Sequence, residues 1–129
     1  MVNGMEDRSK KAIGAFGEQK AVEYLLGCHC QVLKTNFRVG RIGEIDIIAR
    51  DGEYICFIEV KTRRTTNYGS PGEAVIFSKQ QKIHRIAAIY LANPVLSDSC
   101  VRFDIIEIMI DDKKDQLAIK SIHHIKNAF

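Results

Sequence analysis

The stretch Gly43–Lys61, GEIDIIARDGEYICFIEVK, constrains this chain more than any other part of it. Apolar residues alternate on both sides of Asp51-Gly52, and an Asp-Gly pair between alternating segments signals a β-hairpin. With Asp51 and Gly52 as the two loop residues, Arg50 faces Glu53, Ile48 faces Ile55, Asp46 faces Phe57 and Glu44 faces Glu59. Side chains alternate across a sheet with period two. Ile45, Ile47, Ala49, Tyr54, Cys56, Ile58 and Val60 then share one face, which is apolar throughout and is expected in the core. The other face carries Glu44, Asp46, Ile48, Ile55, Phe57, Glu59 and Lys61, apolar near the turn and charged at the far end.

The charged end is the anomaly. Like charges directly opposite one another, as Glu44 and Glu59 would be, destabilise a strand pair. Asp46 and Glu59 are diagonal neighbours in this register, roughly 7–8 Å apart. Converging carboxylates with room for water are a common way to hold Mg²⁺, a hard ion that keeps several waters. Lys61, two residues after Glu59 on the same face, is placed to orient a water or steady a developing negative charge. The same pattern also describes an ordinary solvated face with offsetting charges. A three-residue turn would put Asp46 and Glu59 on opposite faces.

At 129 residues the chain suits one domain spanning 1–129, with residues 1–8 a loose terminus. A net charge of +3 permits a nucleic-acid partner without requiring one. No apolar run approaches the length of a membrane span, and the charged start MVNGMEDRSKK lacks the core of a signal peptide, so the expected location is the cytoplasm. Four cysteines include no C-x-x-C pair, and Cys28-His29-Cys30 reads as free thiols in a reducing compartment. His123 and His124 are adjacent, so in a strand they point to opposite faces and do not share a metal.

Ser9 to Leu26 has a helical pattern with Gly27 as its stop, and Ile13, Ala21, Val22, Tyr24, Leu25 and Leu26 form an apolar arc. Glu18 falls inside that arc, where a carboxylate is costly unless paired, hydrogen-bonded, metal-bound or protonated. A boundary side chain reaching solvent at the helix edge is the alternative. Cys30–Arg38 reads as a first strand, followed by the strand beginning near Glu44 and by the hairpin. Ser70-Pro71-Gly72-Glu73 and Ser78-Lys79-Gln80-Gln81 both resemble helix starts, and a second helix runs to about Asn93-Pro94. Val101–Ile110 is a strand apolar on both sides, Asp111–Asp115 a charged turn and Leu117–Ile119 a short returning strand; the pattern does not place Ser121–Phe129. This order predicts an α/β fold with a mixed β-sheet flanked by helices, the second helix serving as the crossover between parallel strands.

Asp46 followed by Glu59-Val60-Lys61 resembles the D…E-x-K core of the PD-(D/E)XK nuclease superfamily. The flanking strings are more specific. Gly14–Glu18, Asn36-Phe37-Arg38, Gly43–Ala49, Phe57–Arg63, Gly72–Val75 and Asn127-Ala128-Phe129 together resemble the YraN-like family of small bacterial proteins, over nearly the whole chain. That family is similar in fold to archaeal Holliday-junction resolvases, so the resemblance implies a restriction-endonuclease-like αβββαβ core. It also implies that Asp46 and Glu59 bind a divalent metal, Mg²⁺ or Mn²⁺, that Lys61 serves the water, and that Glu18 completes or supports the metal site. Glu44 would stand just outside that set or partner Lys61.

The expected function is therefore a metal-dependent endonuclease acting on DNA rather than RNA, with branched or structured DNA as the substrate class. Arg38, Arg41, Arg63, Arg64, Lys79, Lys82 and Arg85 are the candidate phosphate contacts. A symmetric homodimer would suit the cutting of two strands. The alternatives are a non-catalytic nucleic-acid-binding protein in DNA repair, recombination or uptake, and a protein-interaction module.

Overall fold

The computed structural model of the chain describes residues 10–64, 75–113 and 116–129, with the side chains of Asp112 and Lys113 left out. Its elements are α1 (Lys10–Gly27), β1 (Gln31–Val39), β2 (Gly43–Asp51), β3 (Tyr54–Arg64), α2 (Phe77–Tyr90), a 3-10 turn (Pro94–Leu96), β4 (Cys100–Lys113) and β5 (Gln116–Ile125). The strands form one sheet in the order β1-β2-β3-β4-β5. All neighbours are antiparallel except β3 and β4, which run parallel with α2 as the crossover. This is the predicted α/β fold, consistent with the restriction-endonuclease-like core. No helix among the described residues is long and apolar enough to cross a membrane.

Each helix covers one face of the sheet. Ile13, Ala21 and Leu25 of α1 pack on Ile47, Ala49, Cys56, Ile58, Ile106 and Ile108. Ile83, Ile86 and Ala87 of α2 pack on Ile45, Ile48, Ile55 and Phe57. The apolar arc of α1 is narrower than its sequence suggests, because Leu26 is exposed. The helix ends at Gly27 as expected, but the left-handed residue that turns the chain is His29 (φ 66°), with Cys30 N–H closing onto Leu25 O. Ser78 does not cap α2. The helix begins at Phe77 after Ile76, and Gln80 Nε2 donates to Val75 O instead. The other start signal, at Ser70–Glu73, lies outside the described residues.

Strict alternation fails beside Asn36, apart from register shifts between Val32 and Lys34 and between Met109 and Ile110. Phe37 pairs with Ile45 and both belong to the α2 layer, whereas the neighbouring Ile47 belongs to the α1 layer. Asn36, between Phe37 and Thr35, has φ 51°, and a left-handed residue inside a strand reverses the pleat. Ile45 is therefore in the core as expected, but on the opposite layer. Tyr54 is exposed, lying beneath Arg102 rather than among the apolar side chains.

β5 is longer than the sequence indicated, and it absorbs most of the C-terminal stretch that could not be placed. The buried Asp104 holds it. This carboxylate accepts from Arg102 Nε, from the Asn127 backbone N–H at 2.9 Å, and pairs with His124 Nε2 at 2.8 Å. Burial acts to raise the Asp104 pKa, but the hydrogen bonds from His124, Arg102 and Asn127 together outweigh it and hold the carboxyl below its usual range.

Gly17 is buried where α1 crosses β3, and a Cβ there would run into Thr62 Oγ1. A Cβ on Gly14 meets nothing within 4 Å. Gly17→Ala is expected to destabilise the fold by about 1–3 kcal/mol through overpacking, while Gly14→Ala stabilises it by up to about 1 kcal/mol through helix propensity. Urea unfolding of both variants checks the contrast, and equal effects would contradict it.

Candidate active site

The β2–β3 ladder runs from Asp51–Tyr54 to Ile47–Ile58. The loop residues are thus Gly52 and Glu53, not Asp51 and Gly52. Gly52 has φ 61° and Glu53 is not left-handed, the arrangement of a II′ hairpin, which wants glycine first. The register moves by one residue on each strand, so along the paired stretch, Ile47–Asp51 with Tyr54–Ile58, the two faces survive while the partners change. One step past the end of the ladder, Asp46 stands at the level of Glu59 instead of Phe57, and Glu44 no longer opposes Glu59. There the Val60 N–H donates to Asp46 Oδ2 at 2.8 Å, and the Asp46 and Glu59 carboxyls come within hydrogen-bonding reach.

Glu59 is buried, and two lysines serve it. Lys79 Nζ, from the first turn of α2, contacts Oε2 directly; Lys61 Nζ lies 3.9 Å from the same oxygen. On the α1 side, the Asn36 amide, with its nitrogen turned to the carboxyls, donates to Glu18 Oε1 and Glu44 Oε2, both at 3.1 Å. Arg38 completes the rim by pairing with Glu44 at 3.2 Å. Four carboxyl groups therefore gather at this end of the sheet, with Glu18 feeling the charges of Glu44 and Glu59 and Asp46 those of Glu59 and Glu18. Lys61 and Lys79 also feel the Asp46 charge, although their ion pairs are with Glu59.

The electrostatics follow. Burial and the Glu59 charge push the Asp46 carboxyl up to about 8, against the Val60 hydrogen bond that lowers it. Burial, with Glu44 and Glu59 nearby, also raises Glu18. Burial and the Lys79 charge pull Lys61 down. Burial pulls on Lys79 in the same direction, but its hydrogen bond and ion pair to Glu59 win and raise it.

The structure brings Glu18, Glu44, Asp46, Glu59 and Lys61 together, as the sequence grouped them. The basic residues divide. Arg63 is committed to the buried Glu107 through a 2.9 Å ion pair, which puts it inside the scaffold and not among exposed phosphate contacts. Arg64 lines the cleft with Glu18, Lys61 and Thr62. Arg41, Lys82 and Arg85 are exposed, and Lys79 has joined the carboxylates. Sequence reasoning missed Asn36 as the bridge, and it took Lys79 for a phosphate contact rather than for the partner of Glu59. Asparagine is depleted in strands, so Asn36 inside Cys30–Arg38 was the available signal; nothing local ties Lys79 to a residue twenty positions earlier.

Among the described residues, no three His, Cys, Asp or Glu side chains stand close enough to close around a metal as they are placed. The donor chemistry nevertheless fits a hard divalent ion, since Mg²⁺ needs only one or two carboxylates and retains its waters. The fit rests on Asp46 and Glu59 standing within reach of one another, with Asp46 fixed by the Val60 N–H, where burial and the Glu59 charge make the Asp46 carboxyl hard to ionise without a nearby cation.

Because the folded chain holds the Asp46 proton more tightly than the unfolded chain, stability without divalent metal should fall as pH rises from 3.8 towards about 8. Asp46→Asn lacks that loss. In EDTA it is expected to melt about 4 °C or more above the parent at pH 8, with the gap closing towards pH 4. Melting curves that stay parallel across this window would contradict the assignment.

Comparison with known proteins places this chain in a family. Residues 17–108 match the family model described as uncharacterised protein family UPF0102. A UPF0102 protein of Acetivibrio thermocellus is 48% identical over 121 residues, covering 94% of this chain and 93% of its own. One from Caldanaerobacter subterraneus subsp. tengcongensis is 44% identical, covering 97% of this chain and 100% of its own, and one from Geotalea daltonii is 43% identical, covering 99% and 97%. The match contains Glu18, Asp46, Glu59, Lys61 and Lys79, and the chain belongs to the UPF0102 family.

Proposed function

We propose that this protein is a metal-dependent endonuclease that hydrolyses phosphodiester bonds in branched or otherwise structured DNA. The observation that carries the reading is the meeting of Asp46 and Glu59 at the end of the β2–β3 ladder, with Lys61 beside them. Asp46 and Glu59 would hold Mg²⁺ or Mn²⁺, with Glu18 in support. Such an ion, when bound, polarises a phosphodiester oxygen and lowers the pKa of a water.

The chain's own groups do the rest. The Val60 N–H fixes the Asp46 carboxyl, and Asn36 fixes Glu18. Lys61 orients the attacking water, and its lowered pKa eases proton exchange with that water. Arg38, Arg41, Arg64, Lys82 and Arg85 supply phosphate contacts that position the nucleic acid without reading its sequence. A symmetric dimer would present one site to each of two strands.

One observation favours a second reading. Lys79 and Lys61 already offset the Glu59 charge, so half of the cleft is satisfied without metal. A non-catalytic nucleic-acid-binding protein in DNA repair, recombination or uptake would be consistent with that.

Labelled single strand, duplex, flap, fork and four-way junction, each with Mg²⁺, Mn²⁺ or EDTA, separate the two. The nuclease reading expects metal-dependent cutting of one structured substrate. Asp46→Asn, Glu59→Gln and Lys61→Ala should each lower the rate by at least about 10²-fold. Salt-dependent binding without cutting under any condition would replace it with the second reading.

A further inference from the structure

The outer side of α2 carries a feature that the cleft does not use. A cavity of about 730 Å³, within the range of small-molecule sites, opens there between the helix and the C-terminus. Its floor is aromatic. His84 lies flat on Phe103, ring centres 3.9 Å apart and planes 10° apart, and Phe129 tilts against both. Phe77 stands at the rim, 70% exposed. Lys82 and Arg85, three residues apart and so on one side of the helix, line the same cavity. Among the described residues, no carboxylate does.

We infer that this cavity binds an unpaired nucleobase of a DNA strand, stacked on the Phe77 and His84 side with its phosphates on Lys82 and Arg85. Planar rings beside cations, with no acid, suit a base on an anionic backbone. A paired base inside a duplex has both faces covered by its neighbours, so only a single-stranded segment offers a face to these rings. The route to the cleft is short. Ser78 and Lys82 also line the adjoining cavity of about 400 Å³, which contains Glu44 and the Lys79 that contacts Glu59. The substrate class is then DNA with an unpaired segment next to the cut. This placement rests on the nuclease reading, whereas the binding itself does not.

The test is binding in EDTA to a 2-aminopurine-labelled single strand, a tailed duplex and a blunt duplex, at several salt concentrations. Phe77 is exposed, so Phe77→Ala should fold; its circular dichroism and melting curve check this. The variant is expected to bind the single strand and the tailed duplex about tenfold more weakly, and the 2-aminopurine quenching that reports stacking should disappear. Blunt-duplex affinity should move less than twofold. Arg85→Ala should weaken all three and lower the salt slope by about one. Unchanged single-strand affinity in Phe77→Ala, or an equal loss on blunt duplex, would overturn the inference. So would a dimer-to-monomer change in sedimentation, which would make the cavity a self-association face. Stacking-dependent binding in a protein that cuts nothing with Mg²⁺ or Mn²⁺ would sink the nuclease reading and leave this site standing.

Discussion

Two carboxyl groups forced together in a half-dry cleft set the terms for the rest of this structure. Asp46 and Glu59 meet where the β2–β3 ladder gives out, and burial there strengthens every charge that remains. The surroundings offset the crowding one group at a time. Lys79 and Lys61 serve Glu59, the Val60 N–H serves Asp46, and Asn36 and Arg38 serve the rim. An apolar pair in these places would cost the fold less. The four acids are therefore a cost to the fold and not a source of its stability.

The scaffold fixes those groups from two sides, and a third contact holds the chain end. Gly17 lets α1 settle on Thr62, which brings the next residue, Glu18, over the sheet. The crossover that allows β3 and β4 to run parallel also delivers the first turn of α2, and with it Lys79, onto Glu59. The Asp104 network ties β4 to β5 and to the chain end, holding Phe129 against Phe103. The aromatic cavity on α2 thus depends on a polar anchor buried in the sheet.

Much of this was legible in the sequence, for reasons specific to each part. Period-two alternation around Asp51-Gly52 grouped Asp46, Glu59 and Lys61 correctly even though the turn was placed one residue early, because a shift of one residue on each strand preserves the faces. The helix period singled out Glu18 as a misplaced acid. Three things were not legible. The left-handed Asn36 reversed the pleat and moved Ile45 to the other layer, an event that alternation cannot register. The length of β5 depended on Asp104 capturing His124 and Asn127 across about twenty residues. Lys79 and Arg63 looked like interchangeable surface cations until tertiary contacts gave one to Glu59 and the other to Glu107.

The central claim is that Asp46 and Glu59 together form a divalent-cation site. Calorimetric titration of the purified protein with Mn²⁺ tests it without reference to any substrate. The account predicts one ion bound per chain, with binding lost in both Asp46→Asn and Glu59→Gln. Binding that survives both substitutions, or no binding by the parent protein, would contradict it.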